Sequence, residues 1–515
     1  MDLFLKDDKK LLVLPALMSF ILSLLLLYKF TFPISWDVYY HIHMIDLYIQ
    51  NGLVFWDYAT VAPKGRLIMY PPLFHLCMGF ISKTLNINPV ELCRGIQPFF
   101  SFYLISTITY VSYKLTDTKT AVLTGFLSMF CFVTFNRSVI CTPATIAIGL
   151  FMLSILFVYK AVTDNSIKSL VLSAVFLSLI WNLHMATALL TCGVVGLYCL
   201  IQLLRRKMSP KFVPVYIMIV LALGMPWWIY IATNYGLVFN SLPGNNMLIT
   251  DFFFKYYGII NTLLLITGYY ILIKEKNQKS TFLIIASLSL IMVSQLGLLG
   301  FNIVPIRILE VASYVLIIIS GIALSYIYEN YLPDIKTKNV FCVIFIILAV
   351  TTTFLYVDSY TPDVLSDNDY NTTLVDENIH RTVNPITSRF KPTVISSRYA
   401  NSSLAHDRYD IMQWFITNKS SSMVVCEDAI MDTIIVSTST TPVVYGGFTE
   451  TIPEYVTDPV HIIKGWSSID ELSGLNVGHI LLRHNTPVPY YAEVVHENSE
   501  YKICKIKDNY RNVYP

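Results

Sequence analysis

The sequence predicts a polytopic α-helical membrane protein with about eleven transmembrane helices, followed by a mixed α/β domain outside the cytoplasm. Of its 515 residues, 55% are hydrophobic and only 14% are charged, whereas a soluble domain usually carries about a quarter of charged residues. Long apolar stretches follow one another from residue 11 to residue 357, and the chain then becomes polar. This arrangement is typical of a chain that crosses the lipid bilayer repeatedly before it ends in a soluble domain.

The membrane-spanning segments are read from apolar stretches in a window of about nineteen residues. They lie at residues 11–32, 95–113, 120–135, 144–159, 169–184, 185–204, 212–231, 254–273, 281–300, 307–328 and 339–357. The first is too long for the apolar part of a signal peptide and lacks a small-residue cleavage site, so we interpret it as an anchor. The apolar stretch 71–82 is short for a span. Residues 33–94 are therefore predicted to form one long external loop.

The basic residues between the spans predict the orientation. They fall on the same side as the N-terminus when residues 33–94 form a single external loop: Lys9, Lys10, Lys114, Lys119, Lys160, Lys168, Arg205, Arg206, Lys207, Lys211, Lys274, Lys276, Lys279, Lys336 and Lys338. Lys and Arg are enriched in cytoplasmic loops. We therefore expect a multi-pass protein of the cell membrane with a cytoplasmic N-terminus and an extracytoplasmic C-terminal domain.

The chain divides into a transmembrane domain, residues 1–357, and a soluble domain, residues 358–515. The boundary is a polar run at 358–369 that contains Pro362. Beyond it, a helix is predicted near 405–416, and four runs read as strands: Met423–Cys426, Thr433–Val436, Pro442–Tyr445 and His479–Leu482. The two cysteines of this domain, Cys426 and Cys504, could form a disulfide if the domain lies outside the cytoplasm.

Net charge and cysteine spacing exclude two classes of function. The formal net charge is only +2, so no nucleic-acid partner is expected. The nine cysteines form no CxxC pair, which makes a zinc site improbable.

The external loop carries the residues that suggest chemistry. Asp37 follows directly after the first span, and His41 lies one helical turn later, so that the two side chains could converge. A carboxylate at the mouth of a membrane domain could accept a proton as a general base. It could instead bind a divalent cation that neutralises a phosphate, or it could simply cap an interfacial helix.

This loop resembles the first external loop of the GT-C superfamily of membrane glycosyltransferases, especially the oligosaccharyltransferase catalytic subunit and its archaeal homologues. In that family an Asp within D-x-Y-Y/F-H/N follows the first span, and a segment beginning Y-P-P or Y-P-G closes the loop. Here these are Asp37–His41 (D-V-Y-Y-H) and Tyr70–Pro72 (Y-P-P). The resemblance implies a GT-C-like fold, a catalytic and metal-binding role for Asp37 with Mg²⁺ or Mn²⁺, and substrate contacts from Tyr40 and His41.

A second stretch matches the family only in part. Asn136–Val139 (N-R-S-V) and Thr145–Ile148 (T-I-A-I) fit its pattern, and the resemblance assigns Arg137 to substrate binding. Between them, Cys141–Ala144 (C-T-P-A) stands where the family has a second acidic motif. The second set of metal ligands is therefore missing, and this absence puts metal dependence in doubt.

Arg307, at the outer end of the tenth apolar segment, matches a family arginine that faces the phosphates of the lipid-linked donor. A cation in a membrane helix is costly and usually functional, and arginine suits phosphate recognition. The alternative is a local ion pair with Glu310, three residues later. His184, at the outer end of the fifth segment, is also assigned to substrate binding by the resemblance. A histidine bonded to a neighbouring carbonyl is the alternative there.

Two further departures from the family bear on function. The external loop at 232–253 stands where the family has a mobile loop with a catalytic Glu, but its only acidic residue is Asp251, which we interpret as an N-cap of the next helix. The W-W-D-Y-G motif of oligosaccharyltransferases is missing from the soluble domain.

The sequence therefore predicts an inverting glycosyltransferase that moves a sugar from a polyprenyl-phosphate- or pyrophosphate-linked donor to a protein or glycan acceptor at the outer face. A non-catalytic, glycolipid-binding relative of the same fold is the main alternative. A transporter would show an internal repeat and ionisable residues near the middle of the membrane. A sensor would need a cytoplasmic output module, for which the inner loops are too short.

Overall fold

The computed structural model describes residues 9–35, 37–237, 248–359, 403–444, 446 and 476–511. Before residue 360 it consists almost entirely of helices. These are α1 (Leu14–Lys29), α2 (Asp37–Asn51), α3 (Leu73–Leu85), α4 (Pro89–Gly95), α5 (Gln97–Leu115), α6 (Thr118–Phe130), α7 (Phe132–Ser138), α8 (Pro143–Thr163), α9 (Ile167–Trp181), α10 (Met185–Leu204), α11 (Phe212–Gly224), α12 (Pro226–Asn234), α13 (Ile249–Asp251), α14 (Ile259–Glu275), α15 (Gln278–Ser294), α16 (Pro305–Asn330) and α17 (Ile335–Ser359).

Several of these helices have the length and composition of membrane spans. Among the described residues, five are long and apolar enough to cross a bilayer: Lys9–Lys29, Pro143–Thr163, Met185–Leu204, Pro305–Asn330 and Ile335–Val357. Two bent pairs, α6 with α7 at 83° and α11 with α12 at 61°, raise the number to seven if each pair is one span. The protein is therefore a multi-pass membrane protein. The count of about eleven transmembrane helices stays a prediction.

The segment between α1 and α5 corresponds to the predicted external loop at 33–94 and consists of short elements. Its position outside the membrane stays a prediction. The segment contains α2, a small hairpin of β1 (Trp56–Asp57) and β2 (Arg66–Leu67), and the helices α3 and α4. Helix α3 has only 13 residues, whereas a transmembrane helix needs about 20. The reading of 71–82 as part of the loop therefore agrees with the structure.

The C-terminal part is a mixed α/β unit, as predicted. Its sheet has the strand order β3-β4-β6-β5, with β3 parallel to β4 and the other pairs antiparallel. Its elements are α18 (Ser403–Thr417), β3 (Met423–Cys426), α19 (Ala429–Ser439), β4 (Val477–Arg483), β5 (Ala492–Glu497), β6 (Tyr501–Ile506) and α20 (Asp508–Arg511).

Two of the four predicted strands were wrong or incomplete. Thr433–Val436 lies inside α19, whose N-terminus is capped by the Asp428 side chain accepting a bond from the Ile430 amide at 3.0 Å. A short apolar run does not distinguish a buried helix from a strand, and the cap decides it here. In Pro442–Tyr445, Val443 makes a single bridge to Val424, and Tyr445 lies outside the described residues. The strands β5 and β6 were not predicted.

The predicted disulfide between Cys426 and Cys504 is wrong, since both thiols are free and buried. Cys426 lies on β3 and Cys504 on β6, with β4 between them. In β4 their partners are the adjacent residues Leu481 and Ile480, whose side chains point to opposite faces of the sheet. Two strand spacings, about 9.6 Å, also exceed the reach of a disulfide.

The C-terminal unit docks on the external loop through α19, which packs against α2. The Ser437 hydroxyl donates to the Tyr39 carbonyl at 3.0 Å, and Nδ1 of His43 lies 3.0 Å from the Val436 carbonyl oxygen. These bonds join residues about 400 positions apart. The loop that carries Asp37 is therefore held between the membrane helices and the C-terminal sheet.

A second strip of contact runs along the β1–β2 hairpin. Val443 donates its amide to Ala59 at 2.8 Å and accepts the amide of Ala62 at 3.1 Å. Gly446 lies against Thr60 so closely that a Cβ at that position would come within 2.8 Å of its methyl group. Only glycine fits at residue 446, which also has a positive φ of 90°.

Candidate active site

Asp37 and Arg307 form an ion pair where the N-terminal ends of α2 and α16 meet. Arg307 Nη2 lies 2.6 Å from Asp37 Oδ2, and the two side chains are 49% and 42% exposed. Asp37 is the first residue of α2, and its carboxylate faces Arg307 from there. The two residues that the resemblance placed in the site independently are thus in direct contact, although 270 positions separate them.

The electrostatic environment keeps Asp37 ionised. The Arg307 guanidinium lowers the pKa of the Asp37 carboxyl, burial opposes this, and Arg137 and His184 lower it further. Asp37 is therefore a carboxylate throughout the neutral pH range, as a general base must be before it accepts a proton.

Arg307 lies in the first turn of α16, which Pro305 begins at the first helical position. Proline is favoured there because its fixed φ suits the helix and no amide hydrogen is lost. Arg307 Nη1 also lies 3.9 Å from Glu310 Oε2. The local pair considered as an alternative is therefore present, but it is looser than the contact with Asp37.

Arg137 joins the same group from the other side. It lies on α7, the short helix that follows the 83° bend after α6. Its side chain is only 4% exposed, and its Nη2 lies 2.9 Å from Glu310 Oε2. The four side chains of Asp37, Arg307, Glu310 and Arg137 thus carry two positive and two negative charges. We missed Glu310 as a site residue, although a carboxylate inside an apolar segment was a signal for it.

His184 borders this group and caps α10. Its Nδ1 accepts the Thr187 amide at 3.2 Å and lies 2.8 Å from the Thr187 hydroxyl. The bonding partner of His184 is therefore an amide N–H, whereas the alternative interpretation supposed a carbonyl oxygen. Because Nδ1 accepts from the amide, a neutral ring carries its proton on Nε2. The ring of Tyr70, from the Y-P-P segment, lies 6.2 Å away.

Tyr40 and His41 lie close by but are buried. His41 Nδ1 is 3.0 Å from His75 Nε2, with the rings stacked at 5.2 Å. Burial lowers the pKa of His41 well below its usual value and that of His75 to about 3, so both rings are neutral. The Tyr40 ring lies 5.4 Å from the Arg66 guanidinium. Asp37 and His41, whose side chains could converge according to the sequence, thus have different partners, Arg307 and His75. Substrate binding by Tyr40 and His41 stays a prediction.

The residues present do not fit a divalent cation at Asp37. Within the described ranges, no group of three or more His, Cys, Asp or Glu side chains could hold a metal ion. Both carboxylates at the mouth are bound by arginines. The segment that replaces the acidic motif, Cys141–Ala144, is closed by a bond between its flanking residues, in which the Thr145 hydroxyl donates to the Ile140 carbonyl at 2.7 Å. Metal dependence stays an open prediction, and we assign no chemical step to a metal.

The loop at 232–253 is described only outside 238–247. Asp251 is the last residue of α13 and makes no side-chain capping bond to the helical turn Phe252–Tyr257 that follows. Its predicted role as an N-cap is therefore wrong.

A family model described as dolichyl-phosphate-mannose-protein mannosyltransferase matches residues 93–230. No curated protein matches the sequence.

Three solved structures resemble the protein over almost its whole length. ArnT from Cupriavidus metallidurans has a TM-score of 0.62 at 10% identity, with 98% of each chain covered. The oligosaccharyltransferase of Archaeoglobus fulgidus has a TM-score of 0.52 at 14% identity, covering 92% of this chain and 68% of that one. The mycobacterial arabinofuranosyltransferase AftD has a TM-score of 0.58 at 13% identity, covering 97% of this chain and 40% of that one. The predicted resemblance to the archaeal oligosaccharyltransferase is confirmed at the level of the fold, because at such low identity these likenesses show a shared fold.

Proposed function

We propose that this protein is a GT-C-type membrane glycosyltransferase. It transfers a sugar or oligosaccharide from a polyprenyl-phosphate- or pyrophosphate-linked donor to a protein or glycan acceptor on the outer face of the membrane. The observation that carries the proposal is the 2.6 Å contact between Asp37 and Arg307, because the proposed transfer needs a carboxylate and a guanidinium side by side, the first as base and the second as phosphate ligand. The family match adds support, since its description names a lipid phosphate sugar donor. Solved structures of the same fold contain undecaprenyl phosphate or dolichol phosphate.

The phosphate of the donor can separate the ion pair of Asp37 and Arg307. A guanidinium binds a phosphate through two parallel hydrogen bonds. The donor phosphate therefore competes with Asp37 for Arg307. When Arg307 turns to the phosphate, the Asp37 carboxylate is released and faces the acceptor.

The transfer step then follows from the two roles. An acceptor oxygen or nitrogen attacks C1 of the sugar, and its proton passes to Asp37. The bond from C1 to the phosphate oxygen breaks, and its electron pair stays on the leaving polyprenyl phosphate. Arg307 balances the negative charge that develops on this leaving group. Attack from the side opposite the leaving group inverts the configuration at C1.

The orientation proposed from the basic residues is consistent with this site. The docking of α19 on α2 places the C-terminal unit next to Asp37. We propose that both lie outside the cytoplasm and that the N-terminus lies inside. We also keep the division into residues 1–357 and 358–515, since the apolar span on α17 ends at Val357. The sugar-linked lipid is in the membrane, so a site at its outer edge gives the donor direct access.

One observation favours a second candidate, a non-catalytic glycolipid-binding protein of the same fold. Both carboxylates at the mouth are paired with arginines. A protein that only held a lipid phosphate would need the arginines and no free base.

The first experiment measures transfer of labelled sugar from polyprenyl-linked donors by membranes that contain wild type, Asp37→Asn or Asp46→Asn. Asp46 is the matched control, because it lies on the same helix and its carboxylate accepts a bond from Gln50, at 2.8 Å, and not from an arginine of the site. We expect Asp37→Asn to lose transfer at an unchanged protein level, while Asp46→Asn keeps it. Equal activity of Asp37→Asn and wild type would remove Asp37 from the mechanism. Absence of transfer by wild type across a broad donor panel would favour the non-catalytic candidate.

A further inference from the structure

One oxygen of Glu310 is shared between two arginines. Glu310 Oε2 lies 2.9 Å from Arg137 Nη2 and 3.9 Å from Arg307 Nη1. Glu310 is 13% exposed and Arg137 is 4% exposed, whereas Arg307 is 49% exposed. The inner pair is therefore tight and largely desolvated, and the outer contact is loose and open.

We propose that Arg137 and Glu310 are positioning residues that keep Arg307 available to the donor phosphate. The inference rests on the proposed function, because it takes Arg307 to be the phosphate-binding group. Arg137 acts through Glu310: by binding this carboxylate, it prevents Glu310 from capturing Arg307. The sequence resemblance had placed Arg137 in contact with substrate, and the geometry points to an indirect role.

The physical argument is one of competition. Glu310 and Arg307 are three residues apart on α16, a spacing at which oppositely charged side chains pair readily. Without Arg137, Arg307 would be the one remaining cation of this group, and the Glu310 carboxylate would close the 3.9 Å gap to it. The donor phosphate would then have to displace two carboxylates from Arg307, those of Asp37 and Glu310, instead of the Asp37 carboxylate alone. A buried carboxylate that loses its partner also binds the remaining cation more strongly than an exposed one.

The burial of Arg137 supports the indirect role. A residue that binds phosphate must present its guanidinium to the ligand, and the exposed guanidinium of this group belongs to Arg307. The fold around Arg137 does not depend on its charge alone. The Tyr314 hydroxyl donates to the Thr134 carbonyl at 2.8 Å and joins α16 to α7 independently. A variant that loses both members of the inner pair therefore keeps a direct bond between these helices.

The test is equilibrium binding of undecaprenyl phosphate and of dolichyl phosphate to the purified full-length protein in detergent. The variants are Arg137→Gln, Arg137→Lys and the double variant Arg137→Gln/Glu310→Gln. We expect Arg137→Gln to weaken binding about tenfold, a change that corresponds to a modest difference in free energy. Arg137→Lys keeps the cation and should recover part of the loss. The double variant should bind better than Arg137→Gln, because the competing carboxylate is gone as well.

Two results would overturn the inference. If the double variant binds as weakly as Arg137→Gln or more weakly, Arg137 contacts the phosphate itself. If Arg137→Gln binds like wild type, the inner pair has no role in phosphate binding. A merely structural effect would lower the thermal stability of the single and the double variant without this recovery of affinity, so unfolding temperatures are measured in parallel.

Binding separates this inference from the proposed function. A wild-type protein that binds undecaprenyl or dolichyl phosphate but transfers no sugar would refute the glycosyltransferase and leave the inference standing. A wild-type protein that transfers sugar while Arg137→Gln binds normally would refute the inference alone. A wild-type protein that binds neither lipid phosphate would refute both, because Arg307 would then not be a phosphate ligand.

Discussion

Replacing Asp57 by alanine should loosen the contact between the external loop and the C-terminal unit. Asp57 is 1% exposed, and its Oδ2 lies 2.9 Å from His43 Nε2 and 3.8 Å from Arg66 Nε. It also accepts the Thr60 hydroxyl at 2.5 Å and the Ala59 amide at 2.9 Å. His43 and Arg66 are themselves 0% and 3% exposed. The substitution thus leaves a buried guanidinium and a buried imidazole without their carboxylate.

The magnitude follows from these contacts. Removing one partner of a buried charge pair typically costs about 3–5 kcal/mol. Because His43 also holds the Val436 carbonyl of α19, the cost should appear as easier opening of α19 from α2. At about 1.4 kcal/mol for each factor of ten, the equilibrium for opening should shift by at least about a hundredfold.

Hydrogen exchange of the α19 and α2 amides measures this opening directly. The control is Asp46→Ala on α2, whose partly exposed carboxylate accepts a bond from Gln50. Because Gln50 also accepts the Thr440 hydroxyl at the end of α19, this substitution should cost about 1 kcal/mol, well below the cost at Asp57. Helices α8 and α14, which pack on other membrane helices, should exchange as in wild type. Exchange in α19 that is equally slow in Asp57→Ala and Asp46→Ala would refute the reasoning that this buried cluster holds the two parts together.

The same cluster predicts a dependence on pH with a definite sign. Burial raises the pKa of Asp57, but His43, Arg66 and the Thr60 hydroxyl outweigh it and hold the pKa well below the ordinary value of 3.8. A carboxyl with a lowered folded pKa contributes stability that is present above about pH 4 and is lost as the pH falls further. Protection of α19 against exchange should therefore fall below about pH 4 in wild type, and this fall should be smaller in Asp57→Ala.

Three further predictions address the site and the C-terminal unit. Arg307→Gln should reduce sugar transfer on the order of a hundredfold, and Arg307→Lys should lose less because it keeps the charge but not the paired hydrogen bonds; equal rates for Arg307→Gln and wild type would contradict the assigned role. Transfer should persist after treatment with EDTA, since the carboxylates at the mouth are bound by arginines; a loss that Mg²⁺ or Mn²⁺ restores would show a metal site at Asp37. Burial raises the pKa of Asp432 to about 7, so the stability of the C-terminal unit should fall as the pH rises from about 4 to 7 and level off above that. Asp432→Asn should flatten this dependence in thermal unfolding, and an unchanged profile would show that Asp432 does not cause it.

The resemblance of short motifs to a known family identified single residues but not their contacts. Asp37 and Arg307 were assigned separately, each from its own segment, and the structure brings them within 2.6 Å. Glu310 was considered only as a neighbour of Arg307. Its tighter partner, Arg137, is 173 positions away on another helix. No local pattern reports such a pair, because it depends on how α7 packs against α16.

Two further differences concern the C-terminal unit. The run of β-branched residues at 433–436 has the composition of a strand, but Asp428 caps a helix there and the run is buried on all sides. The two cysteines of the C-terminal unit suggested a disulfide, and the position of β4 between their strands separates them. The order of strands in a sheet is a property of the folded chain, so spacing along the sequence could not reveal it.

The sequence by itself determined that this protein crosses the membrane several times, that a long segment follows its first helix, and that a mixed α/β unit ends the described chain. These properties depend on hydrophobicity and its periodicity, which each segment carries locally. Only the tertiary structure decided which charged side chains meet at the mouth and how the C-terminal unit docks on the external loop. Those contacts join residues separated by 173 to 398 positions, and their energy comes from burial and charge pairing that exist only once the helices have packed.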